Sequence, residues 1–112
     1  MATISNLFID AGSAFNNIIS LTASNGLPLN LTGYTVKSQI RKSYTSTISH
    51  TFTASVYSTA TLGKVKLELT ATQTEAITPG RWLYDVEITS SSGVKTRVIE
   101  GIITVTPQIT QI

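Results

Sequence analysis

Strict alternation of apolar and polar residues is the feature that most limits how this chain can fold. In the segment KVKLEL, which begins at Lys64, valine or leucine occupies every second position and charged residues occupy the others. A period of two places the apolar side chains on one face of an extended strand. Segments 34–41 and 82–88 repeat the pattern. A helical period would mix the charged residues into the apolar face, so the pattern predicts half-buried β-strands.

The inward positions of these three strands predict the centre of the core. Aromatic and β-branched side chains fit the pleated, half-buried surface of a sheet. Most of the aromatic residues are expected to be buried in this way, with Trp82 as the main anchor. The predicted core residues are Tyr34, Val36, Ile40, Val65, Leu67, Leu69, Trp82, Tyr84, Val86 and Ile88.

Further strands are predicted between clusters of turn residues, at 6–9, 17–23, 49–57 and 96–106. Seven or eight short strands at this spacing are typical of a sandwich, and an immunoglobulin-like sandwich needs about 100 residues. The chain has 112 residues, the size of one domain. We therefore predict an all-β, immunoglobulin-like antiparallel β-sandwich over 1–112, with an N-terminal strand or arm at 1–12 and a C-terminal tail at 107–112.

One short helical turn is predicted at 72–77, where the chain passes from one sheet to the other. Thr72 and Glu75 have the spacing of a capping box, and Pro79 prevents the helix from continuing. Tyr84 follows this corner closely. In immunoglobulin folds a tyrosine at this place donates a hydrogen bond back to the corner backbone. The alternative is an ordinary core tyrosine with another partner.

The charge content argues against several classes of function. Only 12% of the residues are charged and the net charge is +2, whereas about a quarter is usual in a soluble domain. The basic residues are scattered, so no basic stripe predicts nucleic-acid binding. No apolar run approaches the ~20 residues that span a bilayer, and the N-terminus lacks a signal-peptide pattern. The serine- and threonine-rich surface either favours contact with other proteins, because a hydroxyl costs less to desolvate than a charge, or merely tolerates substitution.

Candidate catalytic groups are few. His50 is the single histidine, and no nucleophile motif accompanies it, which predicts a surface or strand-end residue rather than a triad member. Asp85 and Glu87 share one face of a strand, and solvated cross-strand partners are the favoured interpretation over a paired acid site. The chain lacks cysteine, and no zinc, calcium or phosphate-loop spacing is present. The sequence therefore predicts no catalytic residue, no metal and no cofactor.

Several segments, taken in order, resemble a known family. They are GLPLNLTGY at 26–34, VKSQIR at 36–41, GKVKLELT at 63–70, Thr74, PGRWLYDVE at 79–87, Gly93, RVIEG at 97–101 and VTPQIT at 105–110. This series is similar to small sandwich domains of tailed-bacteriophage virion proteins, among them baseplate upper proteins and tail or head fibre proteins. The resemblance implies a virion building block made in the host cytoplasm, with other virion proteins as partners and no active-site residue.

The motif residues have readable structural roles. Leu29 and Leu31 are expected to plug the open end of the sandwich, and Gly33 to permit a tight turn into the next strand. The Pro79-Gly80 pair suits the two central positions of a type II turn. Gly101 is expected to mark a bulge in the last strand.

Two functions from different classes follow. The leading hypothesis is a non-enzymatic structural component of a phage tail, baseplate, neck or fibre that forms homo-oligomers, since the exposed edge strands of a small sandwich recruit partners. The alternative is a carbohydrate- or receptor-binding module. The candidate surface-contact residues are Tyr44, Tyr57, Ile109 and Ile112.

Overall fold

Two β-sheets enclose one apolar core in the computed structural model, which describes residues 3–23, 26–43, 45–47, 49–107 and 109. The strands are β1 (Thr3–Ile4), β2 (Leu7–Asp10), β3 (Phe15–Ser20), β4 (Thr35–Arg41), β5 (Ser49–Thr51), β6 (Thr53–Val56), β7 (Lys64–Leu69), β8 (Gly80–Thr89) and β9 (Lys95–Thr106). A 3₁₀ turn covers Ala60–Leu62, and helix α1 covers Ala71–Glu75. The all-β sandwich predicted from the sequence is confirmed.

The larger sheet, sheet A, has the order β1-β9-β8-β4-β5, with β2 also paired to β9, and sheet B has the order β3-β7-β6. Pairing is antiparallel except at the N-terminus, where β1 and β2 both run parallel to β9. The predicted antiparallel pairing is therefore confirmed for the other strands, whereas residues 3–10 pair in parallel. After β2 the chain continues into β3 of sheet B and does not form a hairpin with β2. The partner of β2 is therefore β9, the last strand of the chain.

The predicted strand at 49–57 is two strands in different sheets. β5 pairs with β4 in sheet A, and β6 pairs with β7 in sheet B. The chain crosses between them at Phe52, which is buried and donates its N–H to the Ser38 carbonyl at 3.0 Å. The inward positions 50, 52, 54 and 56 keep one phase through the crossing, so the alternation gave no sign of a change of sheet.

The core is filled from both sheets and from the loops. Tyr34 and Val36 are half-buried against it. The other predicted core residues are buried: Ile40, Val65, Leu67, Leu69, Trp82, Tyr84, Val86 and Ile88. The core also contains Leu7, Ile9, Ala11, Leu21, Leu31, Phe52, Ile77, Ile99, Ile103 and Val105.

The loop before β4 closes one end of the sandwich. Leu31 is buried, and Leu29 is half-buried beside it. Tyr34 donates its N–H to the Leu31 carbonyl at 3.0 Å, and Gly33 has φ 80°. A positive φ at the third position defines a type II turn and favours glycine, so the predicted tight turn at Gly33 is confirmed.

The corner between β7 and β8 differs from its prediction. The capping box is formed by Thr70 and Gln73, not by Thr72 and Glu75, because the helix starts directly after β7 and Thr70 is the extended residue before it. Thr70 Oγ1 accepts from the Gln73 N–H at 3.2 Å, and Gln73 Oε1 accepts from the Thr70 N–H at 2.8 Å. Both donors would otherwise lack a helical partner.

The hydrogen bond that ties the corner to the core comes from tryptophan. Trp82 donates its indole N–H to the Thr78 carbonyl at 2.8 Å. The Tyr84 hydroxyl donates to the Ser5 carbonyl at 2.5 Å, so the tyrosine corner is not formed and the alternative, a buried core tyrosine with another partner, is confirmed. The type II turn predicted at Pro79-Gly80 is wrong, because Gly80 already belongs to β8 and has φ 130°. The third residue of a type II turn has φ of about 80°.

A buried threonine joins helix α1 to the turn between β2 and β3. Thr74 has no exposed surface. Its hydroxyl accepts from the Gly12 N–H at 3.0 Å and lies 2.9 Å from the Ser13 carbonyl. One side chain therefore fixes the helix against the chain crossing between the two sheets.

Replacement of Thr74 by valine keeps the shape and removes the hydroxyl. The Gly12 N–H then loses its acceptor, so we expect Thr74→Val to lower the free energy of unfolding by about 1–3 kcal/mol. Thr72→Val in the same helix is the matched control, because Thr72 is exposed. Urea titration followed by tryptophan fluorescence measures both, and equal stabilities would contradict the role given to Thr74.

Candidate interaction surface

Sheet A exposes apolar side chains on its outer face. Ile4 and Phe8 are each 71% exposed and Ile102 is 39% exposed. Ile102 pairs with Leu83, which is half-buried on the same face. We call Ile4, Phe8, Leu83 and Ile102 the outer apolar patch. Single exposed apolar residues are ordinary, whereas several on one sheet face mark an interaction surface.

Residues Ser5 and Asn6 hold the N-terminal half of the patch in place. The register of β1 and β2 on β9 is the same, with Thr3 opposite Ile99 and Leu7 opposite Ile103. Between the two strands, the Asn6 side-chain oxygen accepts from the Ile102 N–H at 3.0 Å. Ser5 donates its N–H to the Glu100 carbonyl at 2.9 Å. The strand is thus interrupted without losing its alignment, and Ile4 and Phe8 stay on the outer face.

Gly101 is required by this close approach. A Cβ atom at Gly101 would lie 2.2 Å from the Ser5 carbonyl oxygen, well inside van der Waals contact. The bulge predicted at Gly101 is wrong, because Gly101 pairs regularly with Tyr84. The register shift in β9 lies at Val98, since Val86 pairs with Ile99 while Glu87 pairs with Arg97. The glycine serves close backbone packing instead.

A charged cluster borders the patch. Asp85 and Glu100 lie directly opposite each other on β8 and β9, an arrangement that would be repulsive without a cation. Arg97 supplies it, with Nε 3.2 Å from Asp85 Oδ2 and a guanidinium nitrogen 3.4 Å from Glu100 Oε2. Burial raises the pKa of Asp85 above its ordinary value, and the Arg97 charge opposes this shift. These residues, together with Ile4, Leu83 and Ile102 of the patch, line a shallow groove of about 460 Å³.

The candidate catalytic residues are not brought together. Asp85 and Glu87 lie on the outer face of sheet A with Arg97. His50 lies on the inner face, opposite Ile40, with its ring 5.3 Å from that of Trp82 in an edge-to-face contact. His50 is thus half-buried against the core, within the three-residue strand β5. Within the described ranges, no group of three His, Cys, Asp or Glu side chains could hold a metal ion.

The predicted surface-contact residues lie away from the patch. Tyr57 is 37% exposed on the outer face of sheet B, with Lys66 Nζ 5.9 Å from the centre of its ring. Ile109 is exposed beyond the end of β9. Tyr44 and Ile112 lie outside the described residues.

Sequence analysis missed the residues of the patch. Leu7, Phe8 and Ile9 are consecutive apolar residues, so alternation alone does not decide which of them faces inward. Leu7 and Ile9 are buried, and Phe8 is turned outward, contrary to the expectation that aromatic residues fill the core. The pairing of Phe8 with Thr104 places the Phe8 side chain on the outer face. This pairing follows from the sheet topology and not from the local sequence.

Comparison with known proteins shows the fold alone. No family model matches the chain, and no curated protein matches it significantly. Among solved structures, it is similar to an adhesin of Streptococcus sanguinis, SrpA, with 12% identity and a TM-score of 0.51 over 96% of this chain and 56% of that one. An internalin-like protein of Listeria monocytogenes gives 14% identity and a TM-score of 0.48 over 94% of this chain and 28% of its own length. The chain thus spans 56% and 28% of the length of these two proteins.

Helices of the described part of the chain are all too short to cross a membrane.

Substitution of Gly101 by alanine tests the close approach. The added methyl group would push against the Ser5 backbone, so we expect Gly101→Ala to lower the free energy of unfolding by about 1–3 kcal/mol, the usual cost of overpacking. Gly93→Ala is the comparison in open space, although its φ of 91° adds some strain. Chemical unfolding measures both, and a wild-type stability for Gly101→Ala would show that residues 3–6 do not pack on β9.

Removal of the Tyr84 hydroxyl tests its bond to Ser5. Tyr84→Phe should cost about 1 kcal/mol of unfolding free energy at neutral pH. Burial raises the pKa of Tyr84 above its ordinary value of 10.0. The folded chain then keeps a proton that the unfolded chain loses, so the stability of the wild type falls as the pH rises from about 10 through the raised pKa. Tyr84→Phe should lack this part of the decrease in stability at alkaline pH. Unfolding curves of both proteins from pH 8 to 11 measure the decrease. An identical dependence of the unfolding free energy on pH would contradict the burial of the Tyr84 hydroxyl.

Proposed function

We propose that this chain is a non-enzymatic structural subunit of a tailed-phage virion and that it acts through contacts with other virion proteins. The observation that carries the contact role is the outer apolar patch. Two of its side chains, Ile4 and Phe8, are each 71% exposed on a regular sheet face. Burial of such side chains in an interface gains about 25 cal/mol per Å² of apolar area.

The surroundings of the patch suit a protein partner. Interface centres are depleted in charge, and their rims are polar. Here Arg97 forms ion pairs with both Asp85 and Glu100 at the border of the patch. The low charge of the whole chain, 12%, also keeps the desolvation cost of contact small.

The virion part of the proposal is supported by the ordered sequence segments that resemble phage sandwich domains. They fall on the elements that build the sandwich: 26–34 closes its open end, 63–70 forms β7 and 79–87 forms most of β8. These are structural positions, as a building block requires. The similarity to the adhesin adds nothing to this, since 12% identity shows a shared fold only.

Two experiments test the proposal. Mass spectrometry of particles purified from the host strain that carries this gene should detect the chain, and its absence from those particles would contradict a virion role. The double variant Ile4→Ser/Phe8→Ser should be incorporated far less than the wild type, because it removes the most exposed apolar area of the patch. Val94→Ser is the matched control, as Val94 is 61% exposed in the β8–β9 hairpin.

Two outcomes would contradict the proposal. Thermal unfolding must first show that the double variant is folded, which we expect because both side chains are exposed. Normal incorporation of the folded variant would exclude the patch as the contact surface. Saturable binding of the purified chain to a glycan array, with no incorporation into particles, would favour the carbohydrate-binding alternative.

A further inference from the structure

Strand β3 is an edge of sheet B with an open hydrogen-bonding side. The Leu21 N–H donates to the Gly63 carbonyl at 2.7 Å, which continues the β3–β7 ladder beyond its last pair, Ser20 with Lys64. Antiparallel partners alternate between bonded and non-bonded pairs. The odd residues of β3 therefore bond to β7, and the N–H and C=O groups of Asn16, Ile18 and Ser20 point to the open side. No described residue donates to or accepts from these groups across that side.

β3 also lacks the devices that protect an edge. Its sequence, FNNIIS, has six residues with no charge and no proline. Native edges are usually short, charged, interrupted or covered. The other edge strands obey this rule: β1 and β2 are interrupted at Ser5–Asn6 and end at Asp10, and β5 has three residues. β6 is short and continues through Phe52 into sheet A.

We propose that β3 pairs with β3 of a second copy of this chain, antiparallel and centred on Asn17, to join the two B sheets into one. The inference rests on the proposed assembly role and names its partner. Pairing across a two-fold axis perpendicular to the sheet keeps inward residues beside inward residues. The open side of β3 supplies donors and acceptors in the alternation that an identical antiparallel strand requires.

The side chains select the register. With Asn17 opposite Asn17 of the second copy, inward Phe15 faces inward Ile19, and outward Asn16 faces outward Ile18. An aromatic residue beside a β-branched residue is a favourable cross-strand pair. Asn17 bonds to β7 through its backbone, so the central pair is of the non-bonded kind, in which side chains approach most closely. Two half-buried amides can then bond to each other, as amide pairs do when they fix the register of paired helices.

The neighbouring register, centred on Ile18, is less favourable. It sets Asn17 against Ile19 and leaves the amide facing an apolar side chain. It also brings the two Lys66 residues, which lie beside Ile18 on β7, into the same row across the interface. In the Asn17 register, that row instead runs from Lys66 of one copy to Glu68 of the other, because Asn16 is paired with Glu68. Charge complementarity thus agrees with the side-chain pairs.

Cysteine cross-linking tests the register. The chain has no cysteine, so each variant carries one thiol. Under mild oxidation Asn17→Cys should form a disulfide-linked dimer, since the central Cα atoms fall about 4.5 Å apart and disulfides span about 4.4–6.8 Å. Ser20→Cys on the same strand is the matched control and should stay monomeric, because it faces Ala14 of the second copy. Cross-linking of Ile18→Cys in place of Asn17→Cys would overturn the Asn17 register.

A charge pair tests the same register without a disulfide. In Asn16→Lys/Ile18→Glu each new charge lies beside an opposite charge on β7, Glu68 or Lys66, so folding is retained. In the Asn17 register each new lysine faces a new glutamate of the second copy, and the dimer should tighten. Light scattering over a dilution series should show the mass rising from 12.0 kDa toward twice that value, at lower concentration for the variant than for the wild type. In the Ile18 register two glutamates would face each other and the dimer would weaken.

The two proposals fail separately. A mass of 12.0 kDa at every concentration, with no cross-linking of Asn17→Cys, would overturn the β3 pairing even if the chain is found in purified particles. A β3 dimer formed by a chain that is absent from those particles would support the pairing and contradict the virion role.

Discussion

Strand β9 is the element on which the rest of the structure depends. It has twelve residues, pairs with β8 along almost its whole length, and carries β1 and β2 on its other side. These N-terminal strands have few bonds of their own, so their position is set by β9 and by the contacts around Ser5. Gly101 permits the approach, Tyr84 bonds the Ser5 carbonyl from within the core, and Asn6 bonds the Ile102 N–H. The orientation of the outer apolar patch follows from these few contacts.

Structural features that depend on local sequence patterns were predicted well, and features that depend on contacts between distant residues were not. β7 and β8 were predicted well because alternation is local, and each strand pairs on both sides. The crossing at Phe52 and the parallel pairing of β1 and β2 were not predicted, because both depend on contacts between distant residues. Asn6 shows the limit clearly: its side chain replaces a backbone acceptor for Ile102, a role that no local pattern encodes.

The candidate site was harder to predict than the fold for a related reason. Core residues are apolar residues at the inward positions of the strand alternation, whereas the residues of the outer apolar patch are apolar residues at outward positions. Phe8 lies between Leu7 and Ile9, and its exposure of 71% is decided by the pairing of β2 with β9. The charged pair Asp85 and Glu87 was visible, but the ion pair between Arg97 and Asp85 depends on the shift at Val98, which places Arg97 opposite Glu87 on the outer face. The position of the proposed contact surface therefore follows from strand pairing and not from a local sequence pattern.

The two proposed surfaces are compatible in one assembly. The outer apolar patch lies on the outer face of sheet A, and the open edge belongs to sheet B. A two-fold axis perpendicular to sheet B leaves the outer faces of both A sheets pointing in the same direction, since rotation about that axis does not reverse the normal of a nearly parallel sheet. A β3 dimer would thus present two copies of the patch to one side. Two linked weak contacts bind a repeated partner surface far more tightly than one, which suits a small subunit whose individual patch contains only four apolar side chains.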